Sequence, residues 1–163
     1  MTIQQIGRPA GLEPQDSLSL PRENGTYALL LRLPADRDIR VGQLGPSRFT
    51  AGHYLYVGSA LGSGGLAARL RRHLTAVKPS FWHIDYLRQA GMVTAVYYQT
   101  GAARRECVWA TAVAQLPGAT IPLPRFGASD CRCAAHLVQL TAQLANAALI
   151  TTLSLTASAG NDA

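Results

Sequence analysis

The sequence predicts an α/β fold, a small mixed or antiparallel β-sheet flanked by helices. Three observations carry that expectation. Short apolar runs rich in β-branched and aromatic residues recur between turn residues, as strands do. Between them, Leu66, Leu70 and Leu74 recur at i, i+4 and i+8, the stripe of a helix packed on one face. The length of 163 residues suffices for one sizeable core and rarely for two. The predicted order is β-β-β-α-α-β-α-β, a small α/β sandwich.

Each element follows from local residues. GTYALLLRL (Gly25–Leu33) is an apolar strand, and a turn at Pro34–Asp36 leads to a second over Asp38–Leu44. HYLYVG (His53–Gly58) is a third strand, rich in aromatic and β-branched residues. The glycine-rich SALGSGG turn then opens a helix over Gly65–Ala76, and a short helix is predicted for Phe81–Ala90. MVTAVYYQT (Met92–Thr100) is a strand, and Arg104–Leu116 is a helix stopped by Pro117–Gly118. A Pro/Gly-broken loop through Phe126–Gly127 leads to a short apolar strand around His136–Leu140. Residues 1–23, with Pro9, Pro14 and Pro21, read as an irregular arm. The domain is therefore expected over 24–140, with 141–163 as a C-terminal extension whose end, from 155, is a loose tail.

Composition narrows the function. A hydrophobic fraction of 48% with 15% charged residues excludes a disordered charged tail protein. The net charge is +6, and fourteen of the fifteen cations are arginine. The planar guanidinium fork suits phosphate better than a lysine point charge, which points toward nucleic acid. A generally arginine-rich proteome explains the same bias. Three cysteines are too few for a secreted disulfide scaffold. MTIQQIGRPAGLEP lacks a basic start and an apolar run, so no secretory signal is expected. Gln139, Thr141, Gln143, Asn146, Thr151 and Thr152 interrupt the uncharged C-terminal stretch too often for a membrane span. These features lead to the expectation of a cytoplasmic protein without a membrane partner.

Arg69 and His73, four apart, share a helix face beside the leucine stripe, while Arg71 and Arg72 are expected to face solvent. The pair reads either as a core-edge pair or as part of a site. Glu106 lies in line with Trp109, Ala110 and Val113, so its carboxylate is aimed at the core side and must be paired or bind a cation. Its alternative role is to complement the helix dipole in the first turn. Acids are otherwise scarce: between Asp38 and Asp162 only Asp85, Glu106 and Asp130 occur. Cys131-Arg132-Cys133-x-x-His136, with Cys107 as a fourth donor, is a candidate zinc cluster; small buried core residues are the stronger explanation of the cysteines, since free cysteine is commonly buried. A disulfide among them is not expected in a reducing compartment. Ser59–Gly65 lacks the Gly-Lys-Ser/Thr ending of a phosphate loop. Arg71, Arg72, Lys78, Arg88, Arg104 and Arg105 are candidates for nucleic-acid backbone contacts.

Several blocks combine in order. GTY (Gly25–Tyr27) and YVG (Tyr56–Gly58) stand at strand edges, followed by a helix with Arg69 and a later helix with Glu106. Around them lie YLYVGSALGSGGLAARLRRH, FWHIDYL, the Glu106–Cys107 pair and FGASDCRCAAHL. Over about residues 24–140 the chain resembles the GIY-YIG nuclease superfamily, in a branch known only as a domain of unknown function. The resemblance implies a divalent-metal-dependent endonuclease that hydrolyses DNA phosphodiester bonds, with Mg²⁺ or Mn²⁺ on Glu106. It assigns Tyr27 as general base, Tyr56 to positioning water or phosphate, Arg69 to neutralising the phosphoryl oxygens, and His73 to a supporting role. His83 lies near where some relatives carry another active-site histidine. A tyrosine of pKa ~10 is a poor base near neutrality, by about 3.4 kcal/mol at pH 7.5. Arg69 and the metal are expected to lower that pKa.

Two departures from the pattern follow. The gap between the tyrosine motifs is long, so an extra element is expected around Asp38–Leu44. No asparagine matches the one that many relatives place after the glutamate, and Ser129 or Asp130 is the candidate to replace it. Some relatives resemble fusions to base-excision enzymes, which makes a repair-enzyme partner plausible; DNA is expected ahead of RNA. Two other classes compete: a non-catalytic nucleic-acid-binding module on the same scaffold, and a zinc-stabilised interaction domain. Only the enzyme requires Tyr27, Tyr56, Arg69 and Glu106 to converge in one groove.

Overall fold

The computed structural model describes residues 4–7, 19–75, 78–141 and 146–158. Its elements are β1 (Gln4–Gly7), β2 (Gly25–Leu33), β3 (Arg37–Val41), β4 (Gly45–Phe49), β5 (Gly52–Ala60), α1 (Gly65–Leu74), α2 (His83–Arg88), β6 (Met92–Thr100), α3 (Glu106–Ala114), β7 (Leu137–Leu140) and α4 (Asn146–Ser158). Five strands form one antiparallel sheet in the order β1-β6-β2-β5-β7. The central strand, β2, pairs along its full length with β5, from Gly25 opposite Ala60 to Leu33 opposite Gly52. Both of its faces are covered, which is why it reads as an almost continuous apolar run.

Side chains alternate between two core layers as the pleat requires. Tyr27, Leu29, Leu31, Tyr54 and Tyr56 point to one face, where they meet Leu66, Leu70 and Leu74 of α1 and Ile84 and Leu87 of α2. Ala28, Leu55, Val57, Ala95 and Tyr97 point to the other, against Trp109 and Val113 of α3 and Leu149 and Leu153 of α4. The leucine stripe of α1 is thus the core stripe expected.

Three expectations are corrected. The single strand predicted for Asp38–Leu44 is a separate two-stranded ribbon of β3 and β4, Arg37 opposite Phe49 and Val41 opposite Gly45. Gly42 and Gly45 both have positive φ and turn the chain back, and Pro46 sits in β4 because such a ribbon leaves its outer edge unpaired. Fully buried Val41 and Phe49 pin the ribbon to the first core layer, and it fills the long gap between the tyrosine motifs. Residues 4–7, expected to be part of an irregular arm, form strand β1 on the edge of β6, ahead of the first proline at Pro9. Asn146–Ser158, expected to be extension and tail, is a helix whose Leu149 and Leu153 insert against α3.

Helix ends are tighter than predicted. α1 closes at Leu74, with 76–77 outside the described residues, and α3 spans Glu106–Ala114. α2 begins at His83, where the Asp85 carboxylate accepts the N–H of Trp82 and the Asp85 N–H donates to the Trp82 carbonyl. No helix among the described residues is long and apolar enough to cross a membrane.

Candidate active site

Tyr27 and Tyr56 project from the same face of neighbouring strands, and the register places Tyr27 opposite Gly58 and Tyr56 opposite Leu29. Both motif glycines answer to packing. A Cβ at Gly58 would run into the Tyr27 hydroxyl, and one at Gly25 into the Gln99 carbonyl and Leu66. The glycine of the second tripeptide is therefore the gap that admits the tyrosine of the first, while Gly25 makes room for Leu66 and the neighbouring strand. Above them opens a groove of about 580 Å³, walled by Tyr27, Tyr56, Arg69, His83, Glu106 and His136.

The Tyr27 hydroxyl lies 2.7 Å from Nε2 of His73, which α1 buries completely. His73 Nδ1 lies 3.8 Å from Oδ1 of Asp85, an electrostatic contact longer than a hydrogen bond. Asp85 is itself buried, and its other oxygen accepts the backbone N–H groups of Phe81 and Trp82, both at 3.0 Å. Arg72 approaches that oxygen at 3.2 Å, and the Lys78 ammonium stands 2.9 Å from Oδ1. A hydroxyl, an imidazole and a carboxylate thus line up from the groove floor into the protein. Only the first two were expected. Asp85 figures in the sequence as one of three scarce acids, and its place in the first turn of a short helix signals a carboxylate that complements the helix N-terminus, not a tertiary partner.

Burial sets the protonation states. It pushes the Tyr27 phenol well above its usual value, helped by neighbouring Tyr56 and outweighing the lowering by Arg69. Burial likewise raises Tyr56. The lowering of the Tyr27 pKa expected from nearby Arg69 is therefore overridden in the protein itself. Burial lowers His73, which is neutral at pH 7 despite Asp85. Burial alone would raise Asp85, but His73, Lys78 and the two backbone N–H groups together hold it far below the usual carboxylate range. With the tyrosine proton on Tyr27, His73 accepts at Nε2 and carries its own proton on Nδ1, toward the carboxylate.

The remaining groove residues come from separate elements. The Arg69 guanidinium lies over the Trp82 ring, 4.4 Å from its centroid, a cation–π contact that fixes it on the groove wall. His83 accepts the Gly127 N–H at Nδ1 (2.8 Å), so in the neutral ring Nε2 carries the proton; burial keeps the ring neutral. Glu106, in the first turn of α3, is buried, and among the described residues its Oε2 has no hydrogen-bond partner. Its nearest cation is Arg104, 4.0 Å from Oε1 and also 3.7 Å from Asp130. A buried carboxylate so weakly paired, on a groove wall, fits a cation. Ser129 and Asp130 line the same groove.

The six cations proposed for backbone contacts divide. Arg71 is exposed, and Arg104 is 66% exposed on the groove rim. The other four turn inward. Arg72, expected in solvent, pairs with Asp85 and the Pro79 carbonyl, and Lys78 is held by Asp85 and the Arg72 carbonyl. Arg88 donates to the carbonyls of His73, Leu74 and Gly91, tying α2 to the end of α1, and Arg105 is buried.

Beside Glu106 stands a second cluster. Cys107 and Cys133 form a disulfide, where free thiols were expected; the fold brings their Cα atoms to 6.0 Å across 26 residues of sequence. Cys131 is free, its sulfur 3.4 Å from Nε2 of His136, and the Cys107 sulfur is 3.6 Å from the same nitrogen. The donor atoms of Cys107, Cys131, Cys133 and His136 all lie within 4.8 Å of one another, a group that could hold a metal ion.

No curated protein and no solved structure matches the chain significantly. The family model described as "Domain of unknown function DUF123" matches residues 26–157, from the first tyrosine motif into α4, and so takes in every groove residue named above. The chain belongs to this family, the DUF123 domains of unknown function.

Proposed function

We propose that this DUF123 domain is a cytoplasmic, divalent-metal-dependent endonuclease of GIY-YIG type that hydrolyses DNA phosphodiester bonds, in repair or a related processing step. The observation that carries the reading is convergence: Tyr27, Tyr56, Arg69, His83 and Glu106, drawn from five elements, wall one groove. The net charge of +6 and the exposed Arg71 and Arg104 favour a polyanionic substrate. Arg69, held by Trp82, would neutralise the non-bridging phosphoryl oxygens. Mg²⁺ or Mn²⁺ held through the unpartnered Glu106 oxygen would supply further neutralisation at the phosphate and the leaving oxygen.

The buried tyrosine assigns the proton differently from a free phenolate base. As a water oxygen forms its bond to phosphorus and the bond to the leaving oxygen breaks, the water proton passes to the Tyr27 oxygen. Tyr27 hands its own proton to Nε2 of His73, 2.7 Å away. The resulting imidazolium faces Asp85, and the departing oxygen takes a proton from bulk water. Tyr27 never has to exist as a phenolate, which burial disfavours. The Nε2 proton of His83, which lines the same groove, would be available to the phosphate.

The test is cleavage of labelled duplex, flap, branched and single-stranded DNAs with Mg²⁺ or Mn²⁺ by wild type, Glu106→Ala and Tyr27→Phe. Metal-dependent cutting that falls by about 10²–10⁴-fold in Tyr27→Phe and is lost in Glu106→Ala is expected. Salt-sensitive DNA binding with no cutting by wild type would overturn catalysis in favour of a binding module.

A further inference from the structure

We infer that Cys107, Cys131, Cys133 and His136 form a zinc site that staples the loop after Phe126 to the first turn of α3. The inference stands apart from the nuclease reading, since none of the four side chains has a role in the proton route above. Two sulfurs, from Cys107 and Cys131, both approach one imidazole nitrogen, at 3.6 and 3.4 Å. Once the disulfide is reduced, a single nitrogen can share one proton with at most one of these thiols, so two of them converging on it are poorly satisfied. A cation between them does better. With Zn–S near 2.3 Å and Zn–N near 2.05 Å, a tetrahedral site places sulfur and nitrogen about 3.6 Å apart. The observed separations match that edge, and the whole donor set spans no more than 4.8 Å.

The chemistry of the set is selective. Three thiolates and one imidazole suit zinc and not the oxygen-seeking Mg²⁺ or Mn²⁺, which Glu106 suits. With four protein donors the site is closed, as structural zinc sites are. His136 is buried, so its ring is held by packing at the cluster. The disulfide joins two of the four donors in their oxidised form. A dithiol reductant delivers two electrons and two protons to give the free Cys107 and Cys133 thiols, and zinc then displaces the thiol protons into solvent. The two states are therefore alternatives, and a reducing compartment selects the metal.

The full chain, purified with a phosphine reductant and without added zinc, is measured for metal by elemental mass spectrometry, alongside Cys131→Ser and Cys133→Ser. About one zinc per wild-type chain is expected, with a large drop in both variants. Cobalt(II) added to the reduced, zinc-stripped chain should give thiolate charge-transfer absorption and tetrahedral visible bands, a readout that needs no variant to fold. Hydrogen exchange at residues 125–136 should rise when a chelator removes the zinc. Metal-free reduced wild type with no cobalt bands would overturn the site, as would zinc content unchanged in the variants or iron with sulfide in zinc's place.

Discussion

Replacing Asp85 by asparagine tests whether the buried carboxylate holds the helix junction behind the groove. The substitution keeps size and shape. The amide oxygen can take the position of Oδ2 and still accept Phe81 N–H, Trp82 N–H and Arg72. The amide nitrogen must then take the position of Oδ1, facing the Lys78 ammonium 2.9 Å away and the His73 ring nitrogen at 3.8 Å. A donor meets two donors, and Lys78, whose side chain is only 9% exposed, is left as an uncompensated cation. Breaking a buried pair by removing one partner costs about 3–5 kcal/mol. The three retained acceptor contacts place Asp85→Asn at the lower end, near 3 kcal/mol.

Urea denaturation of wild type, Asp85→Asn, Lys78→Met and the double variant measures this. If the cost is mostly the stranded cation, removing Lys78 as well should restore about half of it, a coupling of 1–2 kcal/mol by double-mutant cycle. An Asp85→Asn loss below about 1 kcal/mol at unchanged m-value, or strictly additive single losses, would refute the reasoning.

Gly58→Ala should lower stability by about 1–3 kcal/mol and disturb the Tyr27 hydroxyl, because the new methyl overlaps it; a urea midpoint equal to wild type would contradict that packing. Tyr27→Phe leaves Nε2 of buried His73 without its 2.7 Å partner and should cost about 1–3 kcal/mol in the same titration, whatever the domain catalyses. Leu153→Ala should cost about 2–5 kcal/mol, since this fully buried side chain docks α4 on Trp109 and Val113; a loss of only tenths would mean that α4 is dispensable. Stability should fall with acid in two windows. His73 is held neutral by burial, so below about pH 6.5 the unfolded chain takes up a proton that the folded one resists; Asp85, whose folded pKa is lowered, adds a loss below about pH 3.9. Urea midpoints from pH 8 to pH 3 check the slope; Asp85→Asn should flatten the lower window and, by removing the carboxylate that favours the imidazolium, steepen the upper one.

What was legible in the sequence was whatever local spacing encodes. The strands around both tyrosines, the α1 stripe and the exposure of Arg71 follow from periods of two and 3.6 residues. Arg72 did not, because its place on the helix wheel is polar and only the chain returning from Pro79 to Asp85 gives it an inward partner. Asp85 was hidden for the same reason: its partners at 72, 73 and 78 reach it through a tertiary turn. α4 was read as extension and tail because threonines dilute its apolar residues. Two leucines four apart are enough when Trp109 offers them a surface. β3 and β4 merge into one predicted strand because Gly42 and Gly45, three residues apart, lack the adjacent Gly, Asn or Asp pair that marks a tight reversal in sequence.

The first turn of α3 links the groove to the cysteine–histidine cluster. Successive helix residues are turned by about 100°, so Glu106 faces the groove while Cys107 faces the loop that carries Cys131 and Cys133. One backbone register therefore sets both the hard oxygen donor and the soft sulfur donor. Arg104, just before the helix, reaches Glu106 and, across the groove, Asp130 of that same loop. An exposed ion pair of this kind contributes little and is screened by salt, so it cannot fix the loop alone. The covalent or metal link through Cys107 can. The Cys107–Cys133 disulfide thus joins that loop to the same first turn of α3 that carries the Glu106 carboxylate.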